Sequence, residues 1–387
     1  MNFAERRSFV AGKFAERFGA APELWSRAPG RVDLMGSHTD YNLGYVMTMT
    51  IDRDTWIAAR PRRDRQVAIY SLNVDGGSEF DLDQIERDVT TPWTNYVRGV
   101  AKYLEAAGHA LTGFDGLVHS TVPFSSGVSS SAAIEMAVGV MFQLVGGFRI
   151  DPVQLALIGQ QAENKFVGVN SGILDQYSSA MGQAGCTLLL DCRQLTSRSV
   201  PIAAGLQVVI CDTQAKRTLA GTEYGERRAQ CEQGVRLLQQ WIPDITALRD
   251  VTPAQFGAHE KDLPDVVARR CRFIIEENQR VLDLAQALTA GDAARLQQLF
   301  AASYAGARDL YEIGAPAMET MMRAMLGGPG VVAARQAGAG FGGCLVALVR
   351  QPQVDAFADH VRRAYAAETT IEPQIYSVQA APGAGPL

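Results

Sequence analysis

The sequence predicts an α+β protein with two domains, and three observations support this fold class. The chain has 387 residues, a length at which one hydrophobic core usually gives way to two domains. Strand-like and helix-like segments alternate in the N-terminal half. Amphipathic helical spacing dominates the C-terminal half, which still contributes strands. We place the boundary near residue 200, which gives domains at 1–200 and 201–387.

The N-terminal half contains two predicted strands and one strand–loop–helix unit. Residues that favour extended backbone predict a strand over 45–60, and a second strand is predicted over 115–122. Pro123 ends the second strand, and the small residues of 125–131 form a turn. The alanines and methionines of 132–144 then predict a helix.

The rest of the chain alternates short apolar strands with longer helices. Pro152 suits the first turn of a helix that continues through 153–167. Amphipathic or apolar spacing predicts strands over 186–192, 207–211 and 343–350, and helices over 223–241, 266–288 and 293–308. The Pro/Gly/Ala-rich residues 380–387 predict a frayed tail.

Composition excludes several classes of protein. The chain is 47% hydrophobic and 20% charged, as in globular proteins that are neither disordered nor embedded in a membrane. A net charge of -5 provides no general attraction for nucleic acid or anionic membranes. Residues 1–20 mix charged with apolar side chains, unlike a signal peptide, so we expect a cytoplasmic protein. The six cysteines form no C-x-x-C pair and are expected to be reduced thiols rather than zinc ligands.

A small-residue turn at 125–131 precedes the helix predicted over 132–144. Small residues let backbone N–H groups approach a phosphate, and the helix N-terminus adds a favourable dipole. The same turn could simply cap the helix, and the sequence in isolation favours neither interpretation. No G-x-x-x-x-G-K-[ST] motif is present, so a P-loop fold is disfavoured.

A second motif, Gly30–Gly44, places Arg31 and many hydrogen-bonding side chains between glycines. This density suits a polyol, because a sugar ring carries hydrogen-bond donors and acceptors on all sides. A solvated loop is the alternative interpretation.

A third motif, Asn170–Gln176, carries a lone carboxylate, Asp175, after a glycine turn. That carboxylate could orient a hydroxyl group and accept its proton. It could equally cap the following helix, and the motif by itself favours capping.

A fourth motif, Gly338–Gly343, formally matches G-x-G-x-x-G. A strand-like segment follows it instead of a helix, and it lies near the C-terminus instead of opening a βαβ unit. We therefore reject a dinucleotide-binding oxidoreductase.

In this order, the motifs resemble the galactokinase branch of the GHMP small-molecule kinases. Gly30–Gly44 resembles the signature G-R-V-N-[LI]-[IL]-G-E-H-T-D-Y-N-x-G. Residues 125–133 resemble the phosphate loop G-A-G-L-S-S-S-A-S, and 169–176 resemble V-N-C-G-I-M-D-Q. Further similarity at 93–99, 223–231 and 334–343 extends the resemblance over nearly the whole chain.

The resemblance implies an ATP- and Mg²⁺-dependent kinase that phosphorylates the anomeric hydroxyl of galactose or a close analogue. It implies an N-terminal domain of ribosomal-protein-S5-like fold and a C-terminal α+β domain, with the active site between them. The expected partners are the sugar and ATP, without nucleic acid or membrane. The sequence leaves open a monomer or a dimer.

The resemblance also implies roles for individual residues. Asp175 is the implied catalytic base, Arg31 stabilises the transferring phosphoryl group, and Ser131 with Glu163 holds magnesium. Phosphoryl transfer depends mostly on positioning and charge stabilisation, which these groups can supply. The other implied site residues contact phosphate (Ser125, Ser126, Gly127, Val128, Ser129, Ser130, Ser131), border adenine (Trp93, Asn95) or contact sugar (Ser37, His38, Thr39, Asp40, Gly172, Tyr224).

The sequence departs from the family signature most clearly at Ser37, which replaces a glutamate that in galactokinases accepts a hydrogen bond from the hydroxyl on carbon 6. The shorter, uncharged serine weakens that contact and removes repulsion against a substrate carboxylate. Galacturonic acid, or a sugar without that hydroxyl such as arabinose or fucose, is therefore an alternative substrate, although a water could fill the gap. The smaller departures are Asp33 for Asn, Ser125–Ser126 for Gly-Ala, Ser171 for Cys and Ala339 for Gly.

Two further alternatives lie within the same superfamily. A sugar sensor without catalytic activity is disfavoured because the segment 129–133, Glu163 and Asp175 are all retained. Kinases of mevalonate or homoserine share the phosphate loop but lack a sugar-binding segment such as 38–42.

Overall fold

The computed structural model describes residues 1–124, 126–215 and 220–387. The helices in this part of the chain are α1 Phe3–Phe18, α2 Thr94–Ala106, α3 Ser130–Gly146, α4 Pro152–Gln161, α5 Leu174–Met181, α6 Ala220–Leu238, α7 Pro253–His259, α8 Asp265–Ala290, α9 Ala293–Ala305, α10 Pro316–Leu326 and α11 Val354–Thr369. The strands are β1 Leu24–Met35, β2 Tyr45–Pro61, β3 Gln66–Ser71, β4 Gly77–Asp81, β5 Phe114–Ser120, β6 Cys186–Asp191, β7 Thr196–Pro201, β8 Leu206–Asp212, β9 Val331–Gln336, β10 Cys344–Arg350, β11 Gln374–Val378 and β12 Gly385–Pro386.

The strands form two sheets, and the predicted α+β class is confirmed. The larger sheet has eight strands in the order β12-β1-β2-β5-β3-β4, with β6 paired to β2 and β7 paired to β6. The smaller sheet has four strands in the order β11-β8-β10-β9. Pairing is antiparallel except between β3 and β5, which run parallel. Apart from β12, the larger sheet ends at Pro201 and the smaller begins at Leu206, while the domain boundary itself stays a prediction.

Two features of the packing relate helix α3 and the two sheets to one another. Helix α3 packs on β1 and β2 and is apolar around much of its surface, as expected for a helix inside a domain. One apolar cluster contains Val32 and Met49 from the larger sheet together with Val346 and Leu348 from the smaller one. Because this shared cluster is buried, it holds the two sheets in a defined relation.

Two predicted helices are α-helical over a shorter range than expected, and each continues as a π-helical turn. The helix expected through 153–167 is α-helical only to Gln161, and Ala162–Val167 forms a π-helical turn. The helix expected over 293–308 ends at Ala305 and continues as a π-helical turn over Gly306–Leu310. The first of these turns carries Glu163, and single π turns are common at functional sites.

The prediction of a frayed C-terminal tail is wrong. Strand β12 pairs with β1, and the Thr50 hydroxyl donates to the Ala381 carbonyl oxygen at 2.5 Å. Arg27 donates to the Gly383 carbonyl oxygen at 3.0 Å. A Cβ atom on Gly383 would lie 2.3 Å from the Ala180 carbonyl oxygen, so the small residues serve close packing rather than disorder.

Among the described residues, every helix is either too short or too polar to cross a lipid bilayer.

Candidate active site

A cavity of about 600 Å³ opens between the two halves of the chain. One wall comes from β1, the turn after it, the start of α3 and residues 163–175, and the other comes from the start of α6 and the loop after β9. The predicted site residues in its lining are Arg31, Ser37, His38, Asp40, Gly127, Ser129, Ser130, Ser131, Glu163, Gly172, Asp175 and Tyr224.

An arginine–carboxylate pair lies at the centre of the cavity. Arg31 donates to Asp175 Oδ1 from Nε at 2.8 Å and from Nη2 at 2.5 Å. Its third nitrogen, Nη1, donates to the Gly127 carbonyl oxygen at 2.8 Å. Asp175 lies in the first turn of α5, whose N-cap is Ile173, so Asp175 does not cap this helix. The guanidinium is thus fixed by three bonds, while the second carboxylate oxygen, Oδ2, remains available to the cavity.

The turn before α3 leaves the N-terminus of this helix open. Ser129 occupies the N-cap position with φ of 59°, and its side chain makes no capping hydrogen bond. Its hydroxyl is buried and has no hydrogen-bond partner among the described residues. The capping interpretation of this turn is therefore wrong, and the first backbone N–H groups of α3 receive no hydrogen bond from the Ser129 side chain.

Glu163 lies beside this turn and accepts hydrogen bonds from two side chains. Gln176 Nε2 donates to Glu163 Oε2 at 2.9 Å and Ser171 donates to the same oxygen, while the nearby Ser131 hydroxyl acts to lower the pKa of the carboxyl. Burial raises the pKa of Glu163, as does the charge of Asp175. No group of three His, Cys, Asp or Glu side chains suited to a metal occurs in the described part of the chain.

Glu135 is a neighbour of this carboxylate that the sequence did not reveal. Gln176 Nε2 also donates to Glu135 Oε2 at 2.9 Å, and burial raises the pKa of Glu135 well above its ordinary value. Sequence reasoning missed Glu135 because it read the residue only as a helix former in α3. Its role depends on α3 and α5 being adjacent, which the sequence does not state.

His38 connects the turn after β1 to the loop after β9. Its Nε2 lies 2.9 Å from the Ala339 carbonyl oxygen, and its Nδ1 lies 2.8 Å from the Tyr41 hydroxyl. A carbonyl only accepts, so Nε2 carries the hydrogen and Nδ1 accepts from Tyr41. Burial lowers the pKa of His38 to about 4, which keeps the ring neutral at neutral pH. Tyr224 packs against the same ring at a centroid distance of 5.2 Å.

Asp40 is buried against Gly172. A Cβ atom on Gly172 would lie 1.7 Å from Asp40 Oδ2, so only glycine allows this approach. Burial raises the pKa of Asp40 to about 6, and the nearby charges of Asp175 and Asp33 act in the same direction. The structure thus brings the carboxylates of two distant motifs into one cavity, and the solvated-loop interpretation of Gly30–Gly44 is wrong.

Ser37 is part of a buried polar group that includes a residue from the C-terminal half. Its hydroxyl donates to Asp33 Oδ2 at 2.5 Å and accepts from Arg335 Nη2 at 3.0 Å. Arg335 is completely buried. Sequence reasoning gave Arg335 no role because it lies 298 residues from Ser37, although the similarity at 334–343 marked its segment.

Several predicted site residues lie outside the cavity lining. The Thr39 hydroxyl is bonded to the carbonyl oxygens of Gly36 at 2.7 Å and Tyr45 at 2.6 Å, which closes the turn after β1. The carbonyl oxygen of Val128 accepts from the backbone N–H of Arg31 at 3.1 Å. Thr39 and Val128 therefore shape the site by fixing backbone segments next to the cavity.

The remaining phosphate and adenine candidates make other contacts. The Ser126 hydroxyl donates to the Asp212 carboxylate. Asn95 donates to the Asp88 carbonyl oxygen at 2.8 Å and accepts from its N–H at 2.7 Å, and Trp93 packs against the core at the start of α2. Ser125 lies outside the described residues.

The loop after β9 is not followed by the helix that a dinucleotide-binding motif requires. Gly338 and Ala339 line the cavity, and the chain then enters strand β10 rather than a helix. The fourth motif, Gly338–Gly343, therefore contributes to the cavity wall. Its structural context agrees with our rejection of a dinucleotide-binding oxidoreductase.

Comparison with known proteins agrees with this fold and site. Residues 95–183 match the model of the GHMP kinase N-terminal domain, and residues 284–367 match that of the C-terminal domain. Mevalonate kinase from Methanococcus jannaschii shares the fold at a TM-score of 0.67 and 14% identity, covering 92% of this chain and 98% of that one. The fold and the site together define a small-molecule kinase of the GHMP class.

More specific matches distinguish one branch of that class. Residues 12–61 match the galactokinase galactose-binding signature. Galactokinase from Roseiflexus sp. (strain RS-1) is 44% identical over 96% of this chain and 95% of its own length. Galactokinase from Chloroflexus aurantiacus is 45% identical over 94% and 93%. Lactococcus lactis galactokinase, solved with galactose, superimposes with a TM-score of 0.94 at 35% identity over 98% and 99%. The chain belongs to the galactokinase family, and membership of a GHMP kinase family implies ATP as co-substrate.

Proposed function

We propose that this protein transfers the γ-phosphoryl group of ATP to the anomeric hydroxyl of galactose. The observation that carries the proposal is the Arg31–Asp175 pair, which lies between an open helix N-terminus and a cavity wall of hydrogen-bonding side chains. This arrangement supports the proposal because phosphoryl transfer needs a carboxylate for the attacking hydroxyl and a fixed cation for the phosphate.

Asp175 orients the sugar hydroxyl and accepts its proton as the new bond forms. Two of the three Arg31 nitrogens bind Oδ1, so Oδ2 is the oxygen that receives the hydroxyl. The attack requires the hydroxyl to point in line with the transferring phosphorus, and a carboxylate fixed at one oxygen supplies this orientation.

Arg31 and the start of α3 stabilise charge on the transferring phosphoryl group. The guanidinium is permanently charged, and its contact with the Gly127 carbonyl oxygen holds it beside the phosphate turn. The free N–H groups at Ser129 to Ser131 add donors and the positive end of the helix dipole. Because these groups are already in place, no reorganisation is needed during the reaction.

The residues present fit a magnesium ion held jointly with the ATP phosphates. Mg²⁺ is usually bound by one or two carboxylates together with substrate oxygens, and Glu163 with the Ser131 hydroxyl offers such a set beside the helix N-terminus. When bound, the ion would neutralise phosphate charge.

Galactose is the sugar that the relatives support. These relatives are galactokinases, and the Lactococcus lactis structure contains galactose. The alternatives raised by Ser37, namely galacturonic acid, arabinose and fucose, are not favoured by these relatives. A non-catalytic sensor is disfavoured because Arg31, Asp175 and Glu163 converge in one cavity.

ADP release with Mg-ATP tests the proposal directly. The purified protein is assayed with galactose, galacturonic acid, arabinose, fucose and N-acetylgalactosamine, and the product is analysed for a 1-phosphate. We expect galactose to give the highest kcat/KM. Absence of sugar-dependent ADP release with all five sugars would refute the proposed function.

A further inference from the structure

The turn before α3, residues 126–131, which we call the phosphate turn, has a backbone that other parts of the chain must hold in place. Ser129 has φ of 59°, in the left-handed region that residues with a side chain rarely adopt. Gly127, with φ of 82°, lies in the same region. Such conformations persist where surrounding contacts fix them. The contacts that hold this turn therefore decide where its N–H groups point.

Strand β1 holds one side of the phosphate turn. The Arg31 backbone N–H donates to the Val128 carbonyl oxygen at 3.1 Å, and Arg31 Nη1 donates to the Gly127 carbonyl oxygen at 2.8 Å. The approach is close, since a Cβ atom on Gly30 would lie 2.6 Å from the Val128 carbonyl oxygen. These contacts lie within the N-terminal half, so they do not relate the turn to the opposite wall of the cavity.

Asp212, from the C-terminal half, holds the other side of the phosphate turn. The Ser126 hydroxyl donates to the Asp212 carboxylate. Its contact with the Phe124 carbonyl oxygen is longer, at 3.3 Å, so the single hydroxyl hydrogen points to Asp212. Ser126 is 3% exposed and Asp212 is 2% exposed, so water does not compete for this hydrogen bond. A hydrogen bond to a carboxylate is at its strongest in such a buried position.

Asp212 is a rigid anchor because it ends an inner strand of the smaller sheet. It is the last residue of β8, which pairs with β10 on one side and β11 on the other. The next residue, Thr213, donates its N–H to the Gly343 carbonyl oxygen at 3.2 Å, and its own carbonyl oxygen accepts from the Tyr365 hydroxyl at 3.0 Å. The smaller sheet therefore fixes the position of the Asp212 carboxylate.

The Asp212 carboxylate also has donors that do not depend on Ser126. Its Oδ1 accepts from the Gln214 backbone N–H at 3.0 Å, and its Oδ2 accepts from Gln214 Nε2 at 2.7 Å. Loss of the Ser126 hydroxyl would thus leave this buried carboxylate with two hydrogen bonds. We therefore expect a variant without that hydroxyl to fold.

The contact depends on a departure of this chain from the family signature. The phosphate loop G-A-G-L-S-S-S-A-S has alanine at the position of Ser126, and alanine has no hydroxyl to donate. The hydrogen bond between the phosphate turn and Asp212 is therefore a property of this sequence and not of the family motif.

We propose that Ser126 and Asp212 are positioning residues that hold the phosphate turn against the C-terminal half in the conformation that binds ATP. This inference rests on the proposed function and adds two residues to the nucleotide end of the same cavity. Neither residue lines the cavity, so they act through the backbone of the turn. A turn that is already fixed loses less conformational freedom when ATP binds. Breaking the contact should weaken ATP binding and leave sugar binding nearly unchanged.

Binding of a non-hydrolysable ATP analogue with Mg²⁺, measured by calorimetry, tests this role without any turnover. We expect Ser126→Ala to raise the Kd of the analogue about 10-fold. The Kd of galactose should stay within about twofold, because the sugar contacts are unchanged. With both substrates saturating, kcat should stay within about threefold, since Arg31 and Asp175 remain in place.

Ser303→Ala is the matched control for Ser126→Ala. Ser303 is also buried, and its hydroxyl donates to the Glu277 carboxylate at 2.6 Å, outside the cavity lining. Ser303→Ala should lower the thermal unfolding midpoint, but it should leave the Kd of the analogue within about twofold of the wild type. An equal rise of this Kd in both variants, or no rise in Ser126→Ala, would overturn the proposal.

Combining Ser126→Ala with Asp212→Asn tests whether the two residues act through each other. In the Ser126→Ala background, Asp212→Asn should raise the Kd of the analogue by a smaller factor than it does alone. Equal factors in the two backgrounds would overturn the pairing. If Asp212→Asn does not fold, the comparison of Ser126→Ala with Ser303→Ala decides. Absence of sugar-dependent ADP release, with the 10-fold difference in analogue binding still present, would refute only the proposed function.

Discussion

The two ends of the cavity are built in opposite ways. At the end where we propose that phosphate binds, called the phosphate end, Ser129 leaves its hydroxyl and the following N–H groups without protein partners among the described residues. At the end where we propose that the sugar binds, called the sugar end, His38 uses both ring nitrogens and Ser37 uses its only hydrogen within the protein. One end is open to a ligand, and the other has most of its hydrogen-bonding capacity already satisfied.

This difference between the two ends matches the two proposed ligands, the phosphates of ATP and a sugar. A phosphate carries charge and accepts hydrogen bonds in many directions, so free donors at a helix N-terminus bind it with little further specification. A sugar is neutral and differs from other sugars by the position of single hydroxyl groups. A site whose polar groups are mostly fixed by protein partners can select among such hydroxyls, because a wrong sugar leaves a buried polar group unpaired.

Removing the carboxylate of Asp175, which lies between the two ends of the cavity, should lower the turnover rate more than any other change proposed below. We expect Asp175→Asn to lower kcat by about 10³-fold, since the amide cannot accept the proton that the sugar hydroxyl loses. The folded structure should change little, because an amide oxygen can still accept from Arg31. The measurement is ADP release at saturating galactose, with the unfolding midpoint recorded in parallel.

Asp309→Asn is the matched control for this substitution. Asp309 pairs with Arg308 on the surface and does not line the cavity. Its kcat should stay within about twofold of the wild type. Near-normal turnover in Asp175→Asn would contradict the role given to Asp175.

The sugar end should respond to pH through two groups that act in opposite directions. The folded-state pKa of His38 is about 4, below its unfolded value, so its contribution to stability is lost as pH falls through the window from 6.5 to 4. The folded-state pKa of Asp40 is about 6, above its unfolded value, so its contribution is lost as pH rises from 3.8 to 6. Each contribution amounts to about 3 kcal/mol over its window.

Chemical unfolding between pH 4 and 6.5 checks this opposition. Relative to the wild type, Asp40→Asn should gain unfolding free energy as pH rises, and His38→Asn should lose it. Because both windows overlap, the wild type itself should show little net change from these two groups. If the two variants shift in the same direction with pH, the burial assigned to one of these groups is wrong.

Adding one methyl group at Gly172, between the two ends of the cavity, should have a smaller effect on stability and sugar binding. Gly172→Ala would push a Cβ atom into Asp40, which we expect to cost about 1–3 kcal/mol of stability and to raise KM for the sugar. Gly12→Ala in α1 is the matched control, since a Cβ atom there meets nothing within 4 Å. The control should be neutral or stabilise by about 1 kcal/mol. Equal stability of the two variants would show that Asp40 moves freely.

Much of the phosphate end could be predicted from the sequence. The turn before α3 and the carboxylate Asp175 lie in short segments that the sequence singled out, although their residue types left capping open for the turn and favoured it for Asp175, so the resemblance supplied their chemistry. Less of the sugar end could be predicted from the sequence. The residues Ser37 and His38 were singled out, but their partners Arg335 and Ala339 lie about 300 residues away, and no local pattern joins them. Trp93 and Asn95 were assigned by resemblance alone, and their contacts within the protein lie outside the cavity lining.

The sequence by itself determined the α+β class, about half of the helices and strands, and the short motifs of the site, because these depend on local propensity and on short spacings. Tertiary structure alone decided that the C-terminal tail completes the larger sheet and that Glu135 joins the group around Glu163. It also decided that Asp33 and Ser37 share one buried arginine. The physical reason is that burial and pairing of charge arise only when distant segments pack together, and these two effects set which polar groups remain free to bind substrate.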